Sequence, residues 1–275
     1  MSLRCLISAA ALLLTLTGTP PVLADSTSLR GLETRNDALA WQAVGRLDAA
    51  VGSYCTGTLI APEFVLTAAH CVYDRRTKAL LKAGDFTFRA GLTKGAAAAD
   101  RRIAQIEVHP GYDPTRPYDL QNVRHDLALL RLETPIPSHE LDPFVVFAGA
   151  LPEGPVSVVS YGQGRSNRLS RQDECQVLGR VEGAFALDCD VTFGSSGAPV
   201  FTHLNGRGQI ASVISGGGTF AGQKVAFGMS LPALVAELKQ QMRAHKPVPK
   251  ARIRRLEVGD GRPSTGAKFV PAKGS

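Results

Sequence analysis

Short extended runs, repeatedly broken by glycine, proline and aspartate, constrain this chain more than any other feature. Trp41-Gln42-Ala43-Val44-Gly45-Arg46-Leu47 alternates in character, and Tyr54 to Ile60 does so in part. The turn Ala61-Pro62-Glu63 leads into the apolar Phe64-Val65-Leu66-Thr67. Similar runs cover Ala83 to Gly91, Ile103 to Val108, Asp126 to Leu132 and Val156 to Gly162. Others lie at Gln176 to Val181, Ala184 to Leu187, Val200-Phe201, Ile210 to Ser215 and Val225 to Met229. Strands this short, without helical periods between them, predict an all-β barrel or sandwich. One exception closes the pattern. Ser230-Leu231-Pro232 has an N-cap residue and a proline suited to a first helical turn. Leu231, Leu234, Val235, Leu238 and Met242 then follow helical spacing, predicting an amphipathic helix over 230–243.

The two ends differ from the middle. Met1-Ser2-Leu3-Arg4 is a basic start, Cys5 to Leu16 is apolar, and small Ala24 ends a polar exit, so residues 1–24 read as a secretory signal peptide. The apolar run is too short for a stable membrane-spanning helix, and no later stretch is long enough. The expected mature chain begins near Asp25, secreted or periplasmic. Residues 25–40 are mixed and polar, a loosely held N-terminal arm. From His245 onward, eight Lys and Arg stand against Glu257 and Asp260. With Arg4 they account for the formal net charge of +7 and leave the domain between near neutral. The basicity is a property of the tail at 245–275. Its low apolar content predicts disorder, with contacts to anionic surfaces its one candidate role and no nucleic-acid partner expected.

Without the leader the chain keeps four cysteines: Cys55, Cys71, Cys175 and Cys189. An even count in an oxidising compartment suggests two disulfides. Three pairings are possible, and sequence proximity favours Cys55–Cys71 with Cys175–Cys189. No Cys-x-x-Cys spacing supports zinc. Neither a phosphate-cradling glycine motif nor a calcium-spaced carboxylate cluster is present, so no cofactor or metal is expected.

The chemistry-bearing stretch is Gly194-Ser195-Ser196-Gly197-Ala198-Pro199. Glycines flanking a serine pair, with a closing proline, predict a tight exposed loop whose backbone takes conformations closed to other residues. Backbone N–H groups in such a turn can converge on a developing negative charge. A serine hydroxyl is a weak nucleophile, so a base and a group to orient it must come from elsewhere.

Three motifs in order supply those parts: Thr67-Ala68-Ala69-His70-Cys71, then His125-Asp126-Leu127-Ala128-Leu129-Leu130-Arg131-Leu132, then Gly194 to Pro199. Together they resemble the trypsin-like serine peptidases of the chymotrypsin fold. Smaller echoes are Trp41-Gln42, His109-Pro110-Gly111-Tyr112, Tyr161-Gly162 and Ile214-Ser215-Gly216-Gly217. The resemblance runs from about Trp41 to Met242 and, with so few cysteines, is nearer to bacterial secreted members than to animal ones. It implies two six-stranded antiparallel β-barrels, about 41–135 and 145–229, and a C-terminal helix, in a peptidase domain of 41–244. It implies Ser196 as nucleophile, His70 as base, Asp126 as the group orienting His70, and an oxyanion hole from the N–H groups of Gly194 and Ser196. Cys55–Cys71 would then fix the loop bearing His70. The expected molecule is a monomeric secreted serine endopeptidase acting on polypeptides, the alternative a catalytically silent binding protein of the same fold. His109, His125, His139, His203 and His245 are assigned structural roles.

Two departures matter. Zymogen-type relatives carry an aspartate just before the serine, where this chain has Ser195, and no Ile-Val-Gly-Gly-like start occurs in 25–40. An enzyme competent once the leader is removed is the expectation. The resemblance also makes Asp190, Ser215 and Gly217 substrate-binding residues, with Asp190 as a pocket-floor acid for Arg or Lys. Glutamate-specific relatives have a histidine where Ile214 stands, and Val191 withholds a hydroxyl, so the reading leans towards basic residues.

Overall fold

Alternate side chains of the early strands turn inward, as in Phe86-Thr87-Phe88-Arg89-Ala90, where both phenylalanines and the alanine are buried. The computed structural model describes residues 27–149, 154–203 and 206–245. The expected leader and all of the tail beyond His245 lie outside those residues.

The elements in order begin with β1 (Arg30–Gly31), α1 (Arg35–Leu39), β2 (Val44–Ala49), β3 (Tyr54–Ala61) and β4 (Phe64–Thr67). Then come β5 (Phe86–Ala90), β6 (Ala99–Val108), α2 (Leu120–Val123) and β7 (Ala128–Leu132). The second half holds β8 (Val156–Ser160), β9 (Ser170–Cys175), β10 (Val177–Val181), β11 (Ala184–Leu187) and β12 (Pro199–Thr202). It ends with β13 (Gln209–Phe220), β14 (Gln223–Met229) and α3 (Pro232–Ala244). Antiparallel pairing closes the first half into the expected six-stranded barrel, in the order β2-β3-β4-β7-β6-β5.

The second half departs from expectation. Its strands form an eight-stranded sheet, β1-β9-β8-β12-β13-β14-β11-β10, rather than a second closed six-stranded barrel. The reason lies in the N-terminal arm. Arg30 pairs with Arg171 and Gly31 with Ser170, so β1 occupies the outer edge of β9. Closure is left to cross-links: the Cys175–Cys189 disulfide, Gln176 N–H donating to Asp188 at 2.5 Å, and Asp190 N–H donating to the Gln172 side chain at 2.7 Å.

That pairing also corrects the loose arm expected at 25–40. Leu32 is buried in the core, and Thr34 caps α1, with Asp37 completing a reciprocal capping box. The core joins the two halves. Trp41 lies 5.2 Å from Phe201 and 5.9 Å from Phe144, with the Arg171 guanidinium over its ring.

The helix predicted at 230–243 is α3, and Leu231, Val235, Leu238 and Met242 are buried. It leaves the second half and lies against β6 and β7 of the first barrel. His109, just past β6, is buried and bonds Glu237 of α3 through Nε2 at 3.0 Å. Its Nδ1 accepts the Gly111 N–H at 3.1 Å, and its ring stacks on His125 with centroids 5.0 Å apart. This bonding suits the neutral ring. Burial holds the His109 pKa below the ordinary imidazole value, Glu237 partly opposes this, and His125 reinforces it. Because the folded value is the lower one, the unfolded chain takes up the proton first as pH falls. The stability is therefore complete above about pH 6.5 and is lost as pH falls through that value towards the folded one. Thermal unfolding from pH 8 to 5 should show a smaller acid-side decline in Tm for His109→Gln than for the parent.

Candidate active site

β4 ends at Thr67 and passes through extended Ala68 into a 3₁₀ turn over Ala69–Val72, which carries His70 to the rim of the first barrel. The Cys55–Cys71 disulfide ties that turn back to β3. Both disulfides are thus the pairs that proximity favours. The Cys55 and Cys71 sulfurs near His70 are bonded to each other, which removes them as metal ligands.

Asp126 sits just before β7, below α2, where Asp119 caps the helix through Asn122 N–H at 2.7 Å. Its carboxylate is filled from three sides. Oδ1 accepts the His70 backbone N–H at 2.8 Å, and Oδ2 accepts His70 Nδ1–H at 2.7 Å and the Ser215 hydroxyl at 2.5 Å. The Asp126 side chain is 3% exposed and that of His70 27%. With Nδ1 as donor, the Nε2 lone pair is free to take a proton.

The serine loop folds as its glycines require. Gly194 has φ +91° and Gly197 φ +80°, the left-handed region. A Cβ on Gly194 would overlap Tyr54 and the Tyr161 carbonyl, and one on Gly197 would overlap the Thr56 carbonyl and the Thr67 hydroxyl. Alternate N–H groups are used within the fold: Ser195 donates to the Thr192 carbonyl at 3.0 Å and Gly197 to that of Ile214 at 2.7 Å. Among the described residues, the N–H groups of Gly194 and Ser196 have no such acceptor. The Ser195 side chain is buried, within 3.3 Å of the Ser160 hydroxyl and of the Thr192 N–H.

A residue that sequence reading missed joins this loop to the first barrel. Thr56 of β3 donates its hydroxyl to the Gly194 carbonyl at 2.8 Å, and its N–H reaches the Ser196 carbonyl at 2.8 Å. The same hydroxyl accepts the Tyr161 N–H at 3.0 Å, and the Thr67 hydroxyl donates to the Thr56 carbonyl at 2.8 Å. Thr56→Val keeps the shape but strands a buried N–H and a buried carbonyl, at a cost of roughly 1–3 kcal/mol. Urea melts should show that loss, and kcat/KM should fall by more than tenfold as the loop loosens.

A cavity of about 670 Å³ opens between the halves, lined by His70, Asp126, Ser196, Ser215 and Gly217 among others. Five of the predicted site residues therefore share one cavity, with Gly194 in the adjoining turn. Asp190 does not. It is exposed, is not part of the cavity wall, and its charge acts on Arg165. The expected pocket-floor acid is therefore not among the residues that line this cavity.

Tyr118, also missed, lines the cavity, and its hydroxyl would lie 2.8 Å from a Cβ on Gly216. Desolvation, opposed by Ser215 and aided by the Asp126 charge, pushes its pKa up to about 12. Arg75 lies over the exposed Phe193 ring at 5.6 Å on the rim. Nothing in the polar segment Asp113 to Arg124 distinguished Tyr118 from an ordinary loop residue.

An imidazole braced by a buried carboxylate, at a cleft between a β-barrel and a second antiparallel sheet, belongs to the chymotrypsin-like fold class. A family profile described as Trypsin matches residues 29–229, and the chain belongs to that family. It is 24% identical over 228 residues to a trypsin of Sarcophaga bullata, covering 74% of this chain and 83% of that one. With an ovochymase of Halocynthia roretzi it shares 34% identity over 121 residues, 42% of this chain and 7% of that protein. With a modular serine protease of Drosophila melanogaster it shares 38% over 101 residues, 34% of this chain. The chain thus spans only 7% and 15% of the length of those last two relatives. A solved structure of a Glu endopeptidase matches at a TM-score of 0.65 with 20% identity, over 81% of this chain and 99% of that one. This last is a likeness of fold.

Proposed function

We propose that this chain is a serine endopeptidase in which Ser196, His70 and Asp126 hydrolyse peptide bonds through an acyl-enzyme. The observation that carries the reading is the Asp126 carboxylate, which takes both His70 N–H groups, at 2.8 and 2.7 Å, in a cavity shared with Ser196. Ser196 Oγ attacks the scissile carbonyl carbon while His70 Nε2 takes the hydroxyl proton and then gives it to the departing amine. Asp126 stays ionised and stabilises the imidazolium. The N–H groups of Gly194 and Ser196, without a backbone acceptor among the described residues, receive the oxyanion, each worth on the order of a hundredfold or more in rate. Water, deprotonated by His70, then releases the acyl group.

Ser195, enclosed with Ser160, has no carboxylate to pair with a newly cut N-terminus, and β1 holds the arm along β9. Protein starting at Asp25 is competent without further clipping under this reading. The two disulfides and the leader-like 1–24 support export to an oxidising compartment. A preference for Arg or Lys rested on Asp190, which does not line the cavity, and it forms no part of the proposal.

Fluorophosphonate labelling of protein beginning at Asp25 tests the reading. Labelling that disappears in Ser196→Ala, together with peptide cleavage, is the expected result. A folded, unlabelled protein would instead be the silent binding module.

A further inference from the structure

The cavity that holds His70 and Ser196 has a one-sided charge. Arg75, Lys78, Arg116 and Lys224 line it, and among the described residues its one lining carboxylate is Asp126, already occupied by His70 and Ser215. Among the described residues, Arg75, Lys78 and Lys224 are in no ion pair, and Arg116 has only Asp119, at 3.9 Å. We propose that the cleft selects acidic polypeptides, with Lys224 on one wall and Arg75 and Lys78 on the other receiving Glu or Asp side chains near the cleaved bond. This deepens the peptidase reading and rests on it.

The cations are carried by defined local structures. Lys224 pairs with Thr219 across a hairpin whose two turn residues, Ala221 and Gly222, both have positive φ. This is the type I′ pattern, which fixes strand register. Beside it, Gly216, Gly217 and Gly218 follow one another along β13, leaving a stretch of backbone without side chains. An extended peptide can lie along such a stretch, and Lys224 stands at its far end. Arg75 and Lys78 belong to a turn closed by Asp74, whose Oδ1 accepts from Arg76 N–H at 3.0 Å and Thr77 N–H at 2.7 Å. The Asp74 carboxylate accepts within that turn and lies outside the cavity lining. A basic substrate side chain would meet three unpaired like charges here, with Arg116 beside them, while an acidic one gains charge-assisted bonds.

Matched quenched peptides carrying Glu, Gln or Lys within three residues of the cleaved bond test this. At low ionic strength, kcat/KM for the Glu peptides should exceed that for the Gln peptides by roughly tenfold or more. The gap should shrink as salt is raised. Lys224→Gln should reduce the Glu-to-Gln ratio about tenfold, and Lys224→Glu should move the order of preference towards Lys. Equal rates for Glu and Gln, or faster cleavage of Lys peptides, would overturn the inference while leaving the peptidase reading intact. Fluorophosphonate labelling of the same preparation reports on that reading separately. If labelling fails, fluorescence anisotropy of a Glu-rich peptide on Ser196→Ala still decides. Salt-sensitive binding weakened by Lys224→Gln supports an acid-selective cleft, and absence of binding rejects it.

Discussion

Asp126→Asn is expected to lower kcat by about 10⁴-fold with little loss of stability. The backbone dictates why. Asp126 Oδ1 faces the His70 peptide N–H, which can only donate, so the amide oxygen of asparagine must take that position. The amide NH₂ then lies where Oδ2 now accepts His70 Nδ1–H and the Ser215 hydroxyl. Ser215 can rotate to accept. The imidazole can satisfy the new donor only by moving its proton to Nε2, the atom proposed as base. Geometry survives while the tautomer is inverted. Nitrogen-15 NMR of His70 should show protonated Nε2 near neutral pH, with near-parental Tm and circular dichroism. A variant retaining more than about a tenth of parental kcat would contradict the role given to Asp126.

Gly197→Ala should be the most damaging Gly→Ala change among the described glycines. At φ +80° an L-residue is already strained, and the new methyl would overlap the Thr56 carbonyl and the Thr67 hydroxyl. Those two atoms are bonded to each other at 2.8 Å, so neither can withdraw without breaking a buried hydrogen bond. A loss of about 3 kcal/mol or more is expected, which lowers Tm by roughly 6–12 °C in a domain of this size. Displacement of the adjacent Ser196 should reduce kcat/KM by about a hundredfold in the molecules that remain folded. Gly95→Ala separates the causes: its φ is +88° with nothing within 4 Å of a new Cβ, so only backbone strain of about 1–2 kcal/mol applies. Similar melting points for the two variants would remove the clash from the account.

Much of the fold was legible because its signals are local. Strand alternation, the turn residues and the helical spacing of Leu231 to Met242 each depend on neighbours a few positions apart. The closed first barrel and α3 follow from them. The edge position of β1 was not legible, since Arg30-Gly31 has no pattern of its own and gains strand character only against Ser170-Arg171. Likewise Thr56 is one of several threonines in a strand, and its significance comes from a partner 138 residues away.

The sequence by itself determined which residues the proposed chemistry uses: an imidazole, a carboxylate and a serine in three separate motifs, with glycines where the backbone must turn left-handed. Only the tertiary structure decided where the charges point. Asp190 occupies the expected position in sequence yet faces solvent beside Arg165, whereas Lys224, in no motif, reaches the cavity. The identity of a residue is a local property. The direction of its side chain follows from strand register and loop closure, which long-range pairing sets.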